Sequence, residues 1–309
     1  MKTGYLTHSD YDLHITPDGH PEQVDRLNVI NERLSKLDFN DLEKILSPMG
    51  TYDQVTLCHP REYVDYIKNS CPPVGSVSLD GDTHVNSGSF NAAMRAVGSI
   101  CEAVDLVVNR KLQNAFCASR PPGHHAYAAR AGGHCYVNNA ALAAQALVDA
   151  GAKRVAVLDI DSHHGNGTQG IFWERGDVLT ISIHGDPDRY YPWFVGRTRE
   201  RGAGAGDGRN MNMPLAIGTG DEGWLDAIRY AMAAIRDHKA DALVLPLGFD
   251  ASEHEPLAAL KVTAEGFARA GGMIGGLKLP TAITQEGGYN VDIIGDLLEG
   301  FLKAWGDAA

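Results

Sequence analysis

The sequence predicts an α/β fold, a mainly parallel central sheet flanked by helices on both faces, with residues 1–309 forming one domain. Three observations predict it. Short apolar runs rich in β-branched residues alternate with longer stretches of helical periodicity, an order that requires crossovers between parallel strands. Ionisable residues and glycines crowd directly after those runs, where ligands bind in open parallel sheets. No low-complexity linker and no internal repeat divides the chain.

The elements follow in order. A helix at about 90–109 leads into a strand at "NAFCAS" (114–119), and a helix at about 138–150 leads into "RVAVLDI" (154–160). The next strand is "VLTISIH" (178–184). Residues 185–220 include "RTRERGAGAGDGRN", glycine-rich and charged, which predicts a long surface loop; no helix start follows at the spacing a phosphate cradle needs. A helix at about 221–238 precedes "DALVLPLG" (241–248), another at about 263–277 precedes "TAITQE" (281–286), and a last one spans about 291–304.

Composition bounds the function. An apolar fraction of 44% supplies a sizeable core. Five scattered cysteines, with no C-x-x-C pair, argue against a disulfide framework or a thiolate zinc site and for a reducing compartment. The N-terminal stretch has no apolar signal region and no run reaches the length of a membrane span, so the expectation is a soluble, cytoplasmic protein without a membrane partner. The net charge of −12 argues against nucleic acid as a partner and modestly favours cationic small molecules.

Four strand ends carry the chemistry: "FCASRPPGHHA", "VLDIDSHHGNG", "LPLGFDASEHEP" and "TQEGGYN". Asp161 and His163 stand two apart at the end of an extended segment, so their side chains leave the same face. Asp250 is the best third ligand, because it follows an apolar strand where a lone charge is poorly tolerated. Two carboxylates and one imidazole leave a metal with an open position, the mark of a catalytic site; zinc fits best, with iron(II) or cobalt(II) also acceptable. A two-manganese arginase-like centre would need more bridging carboxylates. In "RPPGHH" a proline-stiffened turn re-aims His124 and His125, either of which has an imidazole suited to moving a proton near neutrality. Tyr289 follows two glycines and has a phenol able to donate to an oxygen gathering negative charge.

Taken together, "GHPE", "RPPGHHA", "GGHCYVNNAALAAQ", "DIDSHHGNGTQGIFWERGDV", "SIHGDP", "LGFDASEHEPL" and "EGGYN" resemble the zinc-dependent family that joins histone deacetylases to bacterial acetylpolyamine amidohydrolases. The resemblance covers nearly the whole chain and implies the arginase/deacetylase-like α/β fold. It implies that Asp161, His163 and Asp250 bind the metal and that Tyr289 polarises the acetyl carbonyl. His125 becomes the principal general base, oriented by Asn166, and His124 an electrostatic partner oriented by Asp159. Asparagine at 166 matches the class II and bacterial branch. The family's potassium sites map onto Asp159, Asp161, His163, Ser182 and Ile183 for the inner ion and onto Phe172, Arg175 and Val178 for the outer one. The implied reaction is hydrolysis of an acetylated, or otherwise short-acylated, primary amine by water activated at the metal.

The chain departs from the pattern in its tunnel. His134, after Gly133, stands where the family has an aromatic ring, while Tyr191 supplies the other wall, so a more polar tunnel is expected. Asp82, with Asp80, matches an acidic position of polyamine enzymes and can attract a distal ammonium. Leu257 stands where a polyamine-selective relative has a glutamate. The insertion through which the polyamine enzymes pair subunits is absent; a homo-oligomer remains allowed. The substrates implied first are acetylated polyamines or related small amines, with acetyl-lysine in peptides as the alternative. A silent binding module would have lost a ligand or the tyrosine, and all are present.

Overall fold

In this computed structural model, residues 3–37, 42–256 and 258–309 are described. The strands in chain order are β1 (Thr3–Thr7), β2 (Leu42–Leu46), β3 (Ser76–Ser78), β4 (His84–Asn86), β5 (Asn114–Cys117), β6 (Val155–Asp159), β7 (Val178–Gly185), β8 (Asn210–Leu215), β9 (Ala242–Leu247) and β10 (Thr281–Gln285). Eight of them form one sheet in the order β2-β1-β5-β10-β9-β6-β7-β8, with every pairing parallel. β3 and β4 form a separate antiparallel pair.

Helices cover both faces because successive strand residues point to opposite sides. Along β6, Val155 and Val157 enter one apolar layer, while Ala156 and Leu158 enter the other. The first layer packs under α2 (Tyr52–Val55), α3 (Arg61–Ser70), α4 (Ser89–Val108), α5 (Asn139–Asp149) and α6 (Asn166–Phe172). The second packs under α1 (Val24–Ser35), α7 (Asp221–His238), α8 (Ala264–Gly275) and α9 (Ile294–Ala308). All five residues of β6 are buried, and a Val or Leu wholly removed from water contributes roughly 1.5–3 kcal/mol.

Helix α7 shows how the chain writes its boundaries. Asp221 and Glu222 occupy its first turn, Arg236 and His238 its last, each matching the helix dipole. Trp224, Ile228, Ala231 and Ile235 form its buried stripe. Asp221 also accepts from the Thr263 backbone N–H at 2.8 Å and its hydroxyl at 2.6 Å, tying the start of α7 to the start of α8.

The sheet class, the five predicted strands and the five predicted helices are present, with ends shifted by a few residues at most. The sheet is wider than expected. β1 and β2 extend it at one side, and β8 extends it at the other, inside the segment expected to be all loop. β8 escapes a hydropathy reading because its inward residues are Asn210 and Asn212, and its Pro214 is tolerated at an edge. Residues 197–209 remain irregular apart from one 3-10 turn at Gly204–Gly206.

The strand order positions the site. β5, β10, β9, β6 and β7 are consecutive neighbours, so the loops after their carboxyl ends converge.

Candidate active site

Asp161, His163 and Asp250 are brought together: their nearest ligand atoms all lie within 4.8 Å of one another. His163 Nδ1 stands 3.1 Å from Asp161 Oδ1 and 2.8 Å from Asp250 Oδ2. Both carboxylates have no exposed surface. Backbone amides hold them, with Gly287 N–H donating to Asp161 Oδ2 at 2.8 Å and Ser162 N–H donating to Asp250 Oδ1 at 2.8 Å. A Cβ on Gly287 would collide with Asp250 and reach 2.6 Å from Asp161 Oδ2, so this approach requires glycine. Two buried carboxylates and an imidazole whose ligand atoms converge on one point fit a divalent metal.

The adjacent histidines part company. His124 Nδ1 lies 2.8 Å from Asp159 Oδ2, whereas His125 Nδ1 lies 2.6 Å from Asn166 Oδ1. Burial alone would lower the His124 pKa, but the Asp159 and Asp161 carboxylates overcome it and hold it up at about 10. His125 has a neutral amide instead; burial and the neighbouring His124 and His163 rings push its pKa well below the ordinary value. The pair therefore offers one charged and one neutral imidazole side by side, their centroids 4.0 Å apart.

The turn that aims them rests on a residue the sequence reading missed. Glu286, wholly buried, accepts from Gly123 N–H at 2.7 Å and His124 N–H at 3.1 Å through Oε2, and from the Thr284 hydroxyl at 2.8 Å through Oε1. Glu22 of "GHPE" was also missed: it receives Arg120 at 2.6 and 2.8 Å and Arg26 at 3.0 Å. Arg26 in turn donates to the Gly288 carbonyl at 2.6 Å and lies 4.8 Å from the Tyr289 ring centroid, bracing the tyrosine loop. A glutamate at the end of an apolar strand, and an acid matched to "SRPP", are the signals that could have found them.

A cavity of about 410 Å³ opens over this floor, lined by His20, Asp82, His125, Gly133, His134, His163, Arg189, Tyr190, Tyr191, Trp193 and Tyr289, among others. Tyr191 stands edge-on to His125 at 4.9 Å, as one wall. Tyr190, not predicted, stacks on His163 at 4.4 Å. Gly133 packs against His125, whose ring a Cβ would strike, and has φ +55°. His134 is the polar wall: its Nδ1 lies 3.4 Å from the Tyr289 hydroxyl and its Nε2 3.7 Å from Asp82 Oδ2. Burial lowers the His134 pKa to about 3, leaving a neutral ring. Leu257 lies outside the described residues.

Asp159 at the end of β6 pairs in register with Ser182 of β7, and Ile183 is the next residue of β7. Ser182 Oγ contacts Gly165 N–H at 3.3 Å and His184 Nδ1 at 2.9 Å. Farther out, Phe172 and Val178 are buried, and the Arg175 side chain is taken by Asp177 at 2.6 and 2.8 Å. His164, given no part from sequence, points away from the floor: its Nε2 meets Gln169 Oε1 at 3.0 Å and Asn212 Oδ1 at 3.1 Å, joining α6 to the edge strand β8.

The histone deacetylase domain family matches residues 20–305, and the chain belongs to it. Acetylpolyamine amidohydrolase 2 of Pseudomonas aeruginosa is 42% identical over 232 residues, covering 74% of this chain and 67% of that protein. Among solved structures, the HD domain of HDA15 superposes with a TM-score of 0.93 at 31% identity, covering 99% of this chain and 89% of that one. The acetylpolyamine aminohydrolase from Burkholderia pseudomallei superposes at 0.90 with 32% identity, covering 100% and 99%. Among the described residues no helix is long and apolar enough to cross a membrane, and the five cysteines are free thiols.

Proposed function

We propose that the chain is a metal-dependent amidohydrolase that releases acetate from N-acetylated small amines, acetylated polyamines first. The observation that carries the reading is the floor itself: His125, His163 and Tyr289 line one cavity, Asp161 and Asp250 converge on His163, and the charged His124 lies against the neutral His125. The names of the similar proteins support acetylpolyamines as the substrate class.

A divalent metal held by Asp161, His163 and Asp250, zinc by preference, would polarise the amide carbonyl and acidify water. The chain's own groups do the rest. His125, kept neutral and oriented by Asn166, takes a proton as water oxygen bonds to the carbonyl carbon. Tyr289 donates its phenol hydrogen to the carbonyl oxygen while that oxygen gathers charge. The C–N bond then breaks, and the departing nitrogen receives a proton from the histidine pair, with Asp159 keeping His124 charged and aligned. Acetate and a free amine leave. Potassium at the main-chain oxygens around Asp159, Asp161, His163, Ser182 and Ile183 belongs to the same proposal, supported by the register of Asp159 with Ser182; a second ion near Phe172, Arg175 and Val178 would rest on backbone alone, since the Arg175 side chain is engaged.

The test is acetate and amine release by the zinc-loaded chain from acetylputrescine, acetylspermidine and an acetyl-lysine peptide. Equal amounts of acetate and amine, with the small amines turned over faster, are expected. Release from the peptide alone would replace the substrate class, and no release from any would remove the reading.

A further inference from the structure

One wall of the cavity is held from behind by polar side chains that take no part in the reaction. Tyr190 and Tyr191, which face His163 and His125, lie on the segment that leaves β7 at Gly185 and reaches β8 at Asn210. Past Tyr191 this segment comes down at Gly196 onto two wholly buried imidazoles, His164 and His184, whose centroids are 4.6 Å apart. His184 Nε2 donates to the Gly196 carbonyl at 2.9 Å, and Gly196 N–H donates to Glu200 Oε2 at 2.8 Å. The same Glu200 oxygen accepts from Gln169 Nε2 at 2.9 Å and from Asn212 Nδ2 at 3.3 Å. Gln169 Oε1 in turn receives His164 Nε2 at 3.0 Å. One carboxylate thus ties the end of the wall segment to α6 and to the edge strand β8.

The choice of side chains argues for positioning. Asn210, Asn212 and Gln169 are buried where apolar side chains would fill the space without needing partners. A buried polar cluster favours one arrangement of its members, because any other leaves a donor or acceptor unpaired. What this cluster holds is the wall segment: Asn212 Nδ2 also reaches the Arg197 carbonyl at 3.3 Å, and Asn210 Nδ2 the Glu200 carbonyl at 2.8 Å. Gly196 has φ +113°, and a Cβ there would stand 3.0 Å from both imidazoles, so only bare backbone lies this close to them. Resting on the deacylation reading, we propose that Glu200 is a positioning residue which, with His164 and His184, fixes the segment carrying Tyr190 and Tyr191 and so sets, from outside the cavity, how narrow a substrate chain the cavity selects. The second histidine of "DSHHGNG" then serves selectivity rather than chemistry.

The test compares N-acetylputrescine with N-acetyl-p-xylylenediamine, which carries the same acetamide and ammonium on a wider, aromatic spacer. Both are offered to the zinc-loaded chain and to E200A, E200Q and G196A, with acetate release giving kcat and KM and amide hydrogen exchange reading the wall segment directly. In E200A the KM for N-acetylputrescine should rise about 10-fold, the effect of losing one charge-assisted hydrogen bond, while the KM for the wider compound does not rise. The kcat for both should stay within about threefold of the parent. Amides of residues 189–196 should exchange faster, and those of β6 should not. E200Q keeps an acceptor oxygen for Gly196 N–H and should restore most of the KM. G196A pushes the segment off the imidazoles without altering Glu200 and should give the same split, so it carries the test if E200A does not fold. Unchanged exchange in the wall segment, or a fall in kcat shared by both compounds with KM unmoved, overturns the proposal. Faster exchange and weaker N-acetylputrescine binding by calorimetry, in a chain that releases no acetate, would keep the positioning assignment and remove the hydrolytic reading instead.

Discussion

The floor of the cavity and its rim are built on opposite principles. On the floor, Asp161, Asp250, His124, His125 and Asn166 are buried, and each has a partner fixed by another strand end. At the rim, Arg189 and Trp193 are exposed, Asp82 is half exposed, and the Arg189 guanidinium has no protein partner among the described residues. The difference teaches where each property resides. Groups that cannot relax are suited to preorganised chemistry, whereas groups that a ligand can complete are suited to selectivity. Floor substitutions should therefore lower turnover of every substrate, and rim substitutions should change the ranking among them.

The largest effect is expected from Asp250→Ala. It should cut bound metal far below one ion per chain, measured by elemental analysis, and abolish turnover of every substrate alike. Full occupancy would show that the third ligand lies elsewhere.

Next comes Glu22→Gln, beneath the floor. Burial would raise the Glu22 pKa, but Arg120 and His14 hold it well below the usual carboxylate range. Because the folded value is depressed, its contribution is fully present above the unfolded pKa of about 4.3 and is lost as pH falls through the folded value. Removing the charge strands Arg120, so a loss of about 3–5 kcal/mol is expected in denaturant titration at pH 7. The acid limb of stability should also become shallower than in the parent. A variant as stable as the parent, with the same acid limb, would break the picture of a floor braced by buried ions.

The smallest effect is expected at the rim wall. His134→Phe removes the 3.4 Å contact to the Tyr289 hydroxyl and the approach to Asp82. It should shift KM more than kcat, by less than about 10-fold, and by different factors for substrates of different chain length. A uniform fall in kcat would move His134 from the rim to the floor.

The floor was the more legible of the two in sequence. Apolar runs such as "VAVLDI" announce buried strands, and the polar residues just past them had to meet once the strands were neighbours. Asp161, His163 and Asp250 were found that way, and the structure brings them together. Glu22 and Glu286 were not, since a single buried carboxylate has no periodicity, and its partners Arg120 and Gly123 lie 98 and 163 residues away. β8 was hidden for a related reason: Asn210 and Asn212 face inward to bond Gln169 and Glu200, so the strand lacks an apolar signature. His164 became intelligible only through that strand.

The central claim is that the floor hydrolyses an N-acetyl group with Tyr289 stabilising the charge that develops on the carbonyl oxygen. The most direct measurement compares acetate release by the zinc-loaded parent and by Tyr289→Phe at matched metal content. The predicted result is a fall of about 10²- to 10³-fold in kcat with metal content and fold unchanged. Equal turnover in the two proteins would contradict it.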